Sequence, residues 1–129
     1  MESKKLTVFF TSDLHAYIYP TDYRSREERD LGLFKCANRF TRDGNTLIID
    51  GGDLLQGSPL GAFCHDTLKN AAPFAEMMNC CGYDYITLGN HDFNYGMSYL
   101  DSYLQALRAR CVCQNIRWEG EGIRYPSRI

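Results

Sequence analysis

Histidine is scarce in this chain. It has three, His15, His65 and His91, and none follows residue 91, so any imidazole chemistry is confined to the first three-quarters of the 129 residues. There is no excess of charge of either sign. Fourteen Lys and Arg face sixteen Asp and Glu, for a net charge of −2, which excludes a binder of nucleic-acid polymers that works by bulk electrostatics. No apolar run approaches the length of a membrane helix, so no membrane partner is expected. Leu6–Phe10 is too short for a secretory leader and is broken at once by Thr11, Ser12 and Asp13; the chain as given is expected to be cytoplasmic. Six cysteines are present without any CxxC spacing, and they read as reduced thiols used as small apolar residues rather than as a disulfide framework. A chain of this length forms one domain at most, able to bury roughly two-thirds of its unfolded surface.

What is there is a regular alternation. Residues 6–11 are β-branched and aromatic and predict a strand. A tyrosine-rich loop (Tyr17, Tyr19, Tyr23) follows, and then a charged stretch. The spacing of Leu31, Phe34, Ala37, Asn38 and Arg42 predicts a helix over about 28–42. Thr46–Asp50 is a short apolar run of the kind buried on both faces of a sheet. Helices are expected over about 59–69, from Pro73 to a stop at Gly82, and over 97–109, with strands at 85–88 and from Cys111 towards Ile116. Residues 117–129 read as a loop. This order implies an α/β domain with a mainly parallel sheet and helices on both faces, whose chemistry gathers in loops at the carboxyl ends of the strands.

Three polar clusters lie at those ends: Asp13-Leu14-His15, Gly51-Gly52-Asp53 and Gly89-Asn90-His91-Asp92. Carboxylate, imidazole and amide oxygen together suit hard-to-borderline divalent cations. Asp13 and His15, two apart on an extended segment, can face one ion. The paired glycines let a loop approach an ion or phosphate closely, and the two oxygens of Asp53 can bridge two metals. Asn90 offers a neutral ligand, and His91 can protonate a leaving alkoxide.

In order and spacing the clusters resemble the calcineurin-like metallophosphoesterase family, whose opening motifs read D-x-H, G-D and G-N-H-[DE]. The fuller wording, Thr11-Ser12-Asp13-Leu14-His15, Gly51 to Pro59 and Thr87 to Gly96, is similar to the 5′-nucleotidase and 2′,3′-cyclic-nucleotide phosphodiesterase branch, as is Gln114-Asn115-Ile116. The resemblance implies the N-terminal half of an α/β/β/α sandwich and two divalent ions (manganese, zinc, iron or similar). Asp13 and His15 would hold the first, Asp53 would bridge both, and Asn90 would hold the second. His91 would act on the transition state or as general acid, and a nucleotide or cyclic nucleotide would be the substrate.

Two departures stand out. The residue expected to orient His91 is Asn94 rather than Asp, which can accept a hydrogen bond from imidazole without stabilising imidazolium by charge; this favours the cyclic-phosphodiesterase side. The family completes its metal sites with later histidines, so residues 1–129 are expected to carry only the first half of the dimetal site, with weak or no activity alone and with self-association through the unpaired sheet edge. The alternative is a non-catalytic remnant of the fold that serves as an interaction partner. A protein phosphatase or DNA nuclease of the same superfamily fits Gln56-Gly57-Ser58-Pro59 and Phe93-Asn94-Tyr95-Gly96 less well. His65 reads as a structural or surface residue. Tyr17, Tyr19 and Tyr23 line either a substrate entrance or simply a packed loop, and Arg24, Arg26 and Arg29 read as solvated.

Overall fold

The computed structural model describes residues 4–116; the loop expected over 117–129 lies outside the described residues. Strands β1 (Thr7–Thr11), β2 (Thr46–Asp50), β3 (Tyr85–Ile86) and β4 (Arg110–Cys111) alternate with helices α1 (Leu33–Ala37), α2 (Pro59–Phe63), α3 (Ala72–Cys81) and α4 (Met97–Ala106). A π-turn over Cys64–Leu68 continues α2, and a 3₁₀ turn over Asn90–Phe93 precedes α4. Helix α2 starts where Ser58 caps it, its hydroxyl accepting from the Gly61 N–H at 3.3 Å, with Pro59 at the first helical position. Helix α3 ends at Gly82 in the left-handed conformation, as its sequence predicts.

The four strands are parallel and lie in sequence order, β1-β2-β3-β4. The parallel α/β sheet is therefore as expected. A second layer of helices is not among the described elements, for a topological reason. Right-handed crossovers between strands in consecutive order all pass over the same face. On that face Ile48 and Ile86 pack with Leu33, Phe74, Met78 and Tyr103 into one buried core. The opposite face carries Val8, Phe10, Leu47, Ile49 and Tyr85, and Val8 and Phe10 are 51% and 65% exposed. The run Thr46–Asp50, read as buried on both faces, alternates instead between buried and half-buried.

The helix expected over 28–42 shrinks to five residues. Its would-be first turns bond elsewhere: Arg29 N–H donates to the Pro20 carbonyl at 2.8 Å, Leu33 N–H to Tyr17 at 2.9 Å and Phe34 N–H to Ile18 at 3.0 Å. The charged stretch is tied down by ion pairs of Arg29 with Asp22 and of Lys35 with Glu28, so the tyrosine loop takes the backbone donors that a longer helix would need. Arg42, expected on that helix, instead donates to Asp84 at 3.0 Å, while Asp84 also accepts the Ile48 N–H at 2.8 Å. All six cysteines are free thiols, but only Cys64 and Cys113 are buried while Cys36 and Cys80 are exposed, so the use as small apolar core residues holds for only part of the set. Burial pushes the Cys81 thiol up to about 11 and the Cys111 thiol up to about 12, which keeps both inert at neutral pH. No helix among the described residues is long and apolar enough to cross a membrane.

Candidate metal centre

Backbone pairing between β1 and β2 continues past the strand ends and sets the first two clusters side by side. Gly51 N–H donates to the Thr11 carbonyl at 2.7 Å, Asp13 N–H to Gly52 at 2.9 Å and His15 N–H to Asp53 at 2.9 Å. Asp13, His15 and Asp53 all adopt positive φ, at 54°, 47° and 57°. Each non-glycine residue held there costs about 1–2 kcal/mol, and such strain is retained where surrounding bonds fix a side chain for a purpose. Here it turns one ligand atom of each residue into a group that lies within 4.8 Å of one another.

The third cluster is bound to the second by Asp92, which is 2% exposed. Its carboxylate accepts four backbone N–H groups, from Asp53 at 2.8 Å, Leu54 at 2.9 Å, Leu55 at 3.0 Å and Gly89 at 2.9 Å. The loops touch so closely that a Cβ on Gly52, itself at φ 91°, would collide with the Gly89 backbone, which explains why glycine stands there. His91 N–H donates to Asp53 Oδ1 at 2.7 Å, leaving Asp53 Oδ2 free to ligate. The sequence shows Asp92 as the acid that closes the third motif; its task of tying the loops together is visible only in the structure.

The side chains fit a cation. His15 Nδ1 lies 2.9 Å from the Gln56 backbone carbonyl. A carbonyl only accepts, so Nδ1 carries the proton and the Nε2 lone pair is free. That Nε2 sits 4.0 Å from Asp13 Oδ1, and a ligating histidine that donates its other N–H to a carbonyl is the usual metal-site arrangement. The His91 ring stands edge-on to His15 with centroids 5.1 Å apart. His91 Nδ1 is 3.0 Å from Gln56 Oε1 and 3.0 Å from Asn94 Nδ2, and Asn94 Nδ2 donates to Gln56 Oε1 at 2.5 Å. Asn94 thus turns its amide nitrogen, not its oxygen, towards the imidazole. Asn90 is exposed and borders an open cavity of about 430 Å³ with Leu88, Phe93 and Asn115.

Beneath the site, Asp50 is 2% exposed. Thr11 Oγ1 donates to it at 2.5 Å and Gly52 N–H at 2.9 Å, and the Tyr83 hydroxyl is 2.6 Å from Thr11 Oγ1. Burial pushes the Asp50 carboxyl up to about 6; the bonds from Thr11 and Gly52 oppose the shift, and the negative charges of Asp92 and Asp13 add to it. Between about pH 4 and about pH 6 the folded chain holds a proton that the unfolded chain has released, so stability is full below this window and falls as pH rises through it. The expected loss is about 3 kcal/mol. Urea melts of metal-free protein at about pH 4 and about pH 7 should show it, and Asp50→Asn should flatten it; an equal slope in the variant would contradict the assignment.

The remaining candidates lie apart from the cluster or carry no ligand atom in it. His65 stacks on Tyr95 with centroids 3.9 Å apart and its Nδ1 is 2.6 Å from Asp66 Oδ1, a structural arrangement as expected. Tyr17 packs on Tyr23 and Tyr19 on Phe34, so the tyrosines pack the loop.

Residues 6–122 match the family model described as calcineurin-like phosphoesterase. The chain is 35% identical over 136 residues to the trifunctional nucleotide phosphoesterase protein YfkN of Bacillus subtilis, covering 96% of this chain and 9% of the relative. It is 33% identical to a 2′,3′-cyclic-nucleotide 2′-phosphodiesterase/3′-nucleotidase of Yersinia enterocolitica, covering 86% and 18%, and 30% identical to a 5′-nucleotidase of Rattus norvegicus, covering 92% and 22%. The crystal structure of calcineurin-like phosphoesterase YfkN from Bacillus subtilis superposes with a TM-score of 0.72 at 33% identity, over 83% of this chain and 36% of that one. The chain therefore spans less than a quarter of the length of these curated relatives.

Proposed function

The chain belongs to the calcineurin-like phosphoesterase family, and from that membership we propose that it is the N-terminal portion of a hydrolase that cleaves nucleotide phosphoesters with two divalent ions. The observation that carries this reading is the convergence of Asp13, His15 and Asp53 within 4.8 Å, with the His91 ring edge-on to His15. Asp13 and His15 would hold one ion, Asp53 would share both, and Asn90 would hold the second. Bound ions supply Lewis-acid activation of water and charge stabilisation of the phosphoryl oxygens. The chain's own residues do the placing. Asp92 fixes the loop that carries Asp53, and the His91 backbone bond to Asp53 Oδ1 keeps the imidazole beside the ligands, where it can hand a proton to the leaving oxygen.

The substrate is proposed to be a 2′,3′-cyclic nucleotide or a nucleoside monophosphate. Relatives named for those activities support it, and an uncharged Asn94 in the position of an acid weighs towards the cyclic ester. The test is manganese-dependent turnover by the full-length protein of bis-p-nitrophenyl phosphate, a 2′,3′-cyclic nucleotide and a 5′-nucleotide. Hydrolysis of nucleotides but not of phosphoprotein or DNA is expected. No hydrolysis of any ester would favour the non-catalytic alternative. The isolated residues 1–129 are proposed to self-associate through the sheet edge and the exposed Val8 and Phe10 beside it. Sedimentation should show mass rising with concentration, and Phe10→Lys should reduce it; a monomer at all concentrations would contradict this.

A further inference from the structure

Gln56 touches both histidines of the site through two different oxygens. Its backbone carbonyl lies 2.9 Å from His15 Nδ1, and its side-chain Oε1 lies 3.0 Å from His91 Nδ1 and 2.5 Å from Asn94 Nδ2. A carbonyl oxygen can only accept, so each contact is a hydrogen bond only when the facing Nδ1 carries a proton. The side-chain amide cannot sensibly be turned round. Its NH₂ would then confront the Asn94 NH₂, whereas Oε1 faces two donors at once. Asn94 Nδ2 also lies 3.0 Å from His91 Nδ1, but its shorter bond, at 2.5 Å, goes to Oε1, which leaves Oε1 as the ring's acceptor.

We propose that Gln56 is a positioning residue that sets the proton on both imidazoles, holding His15 and His91 in the Nδ1–H form so that both Nε2 atoms are left free. For His15 the free Nε2 is the ligand atom. For His91, on the phosphoesterase reading above, the free Nε2 is the atom that takes up a proton and then hands it to the leaving oxygen. Asn94 then acts one step further out: its Nδ2–H donates to Gln56 Oε1 and pins the amide, in place of accepting from the ring itself. Gly57 explains how the loop reaches so far, since its backbone runs against the His15 Cβ and carbonyl with no room for a side chain. The Ser58 N–H donates to the His15 carbonyl at 2.8 Å, so the segment after Gln56 is tied to the same histidine.

The test is NMR on metal-free protein with ¹⁵N-labelled histidine at about pH 8, above the usual imidazole range, where long-range ¹H–¹⁵N correlations report which ring nitrogen holds the proton. Wild type is expected to show Nδ1–H for His15 and His91. Gln56→Ala should remove the Nδ1–H preference of His91 and leave His15 unchanged, because its partner is main chain. Gln56→Glu, which keeps an acceptor in place, should restore it. The proposal is overturned if His91 keeps its Nδ1–H form in Gln56→Ala, if His15 changes along with it, which would mean a collapsed loop, or if Gln56→Glu fails to restore the form. A full-length protein that hydrolyses no phosphoester would sink the functional reading and leave the tautomer result standing, so the two failures are distinguishable.

Discussion

Asp92→Ala is expected to destabilise the chain by about 4–6 kcal/mol, a large share of the roughly 5–15 kcal/mol available to a domain. The carboxylate accepts N–H groups from Asp53, Leu54, Leu55 and Gly89, and it is almost fully buried. Removing it strands four donors. Each stranded buried donor costs about 1–3 kcal/mol, and the sum is reduced because water enters the space left behind. Asp92→Asn keeps one acceptor oxygen for one pair of donors but sets its NH₂ against the other pair, so it should destabilise as well. Urea denaturation should rank wild type above both variants. An alanine variant within about 1 kcal/mol of wild type would mean that the loops are held together by something other than this carboxylate.

Asp53→Asn is expected to do the reverse: it should leave stability unchanged or slightly raised and cut turnover of the full-length protein by about 10³-fold or more. Asp53 sits at φ 57°, a region that asparagine tolerates well. The amide keeps an oxygen for the His91 N–H now held by Oδ1 at 2.7 Å. What it loses is the negative charge at the oxygen left free to ligate, and ion binding contributes several kcal/mol of transition-state stabilisation, each 1.36 kcal/mol being about tenfold in rate. Manganese-stimulated turnover and a thermal melt on the same sample check both halves. Unchanged turnover would remove Asp53 from the site.

The parts of the molecule that follow from local pattern were legible in the sequence. Pro73 and Gly82 bracket α3 because the first fits an initial helical turn and the second a left-handed stop. Thr46–Asp50 forms β2 at the expected bounds because a short apolar run between turn residues has few other uses. Asp13, His15 and Asp53 converge because parallel strands bring their carboxyl ends to one edge. Elements that depend on distant partners were not legible. The tyrosine loop's claim on the Leu33 and Phe34 N–H groups shortens α1, and no periodicity within 28–42 encodes that. That no described helix covers the second sheet face follows from strand order, which alternation alone does not fix. Asp92 and Gln56 act through contacts that reach across 35 to 41 residues of chain, so their roles emerge only once the loops are placed.

The most direct measurement is an anomalous difference map from crystals of the protein soaked in manganese. The geometry predicts a peak among the carboxylates of Asp13 and Asp53 and Nε2 of His15, absent in Asp53→Asn. A map with no peak there, or with its only peak at the exposed His65–Asp66 pair, would contradict the claim that the strand-end clusters form a metal centre.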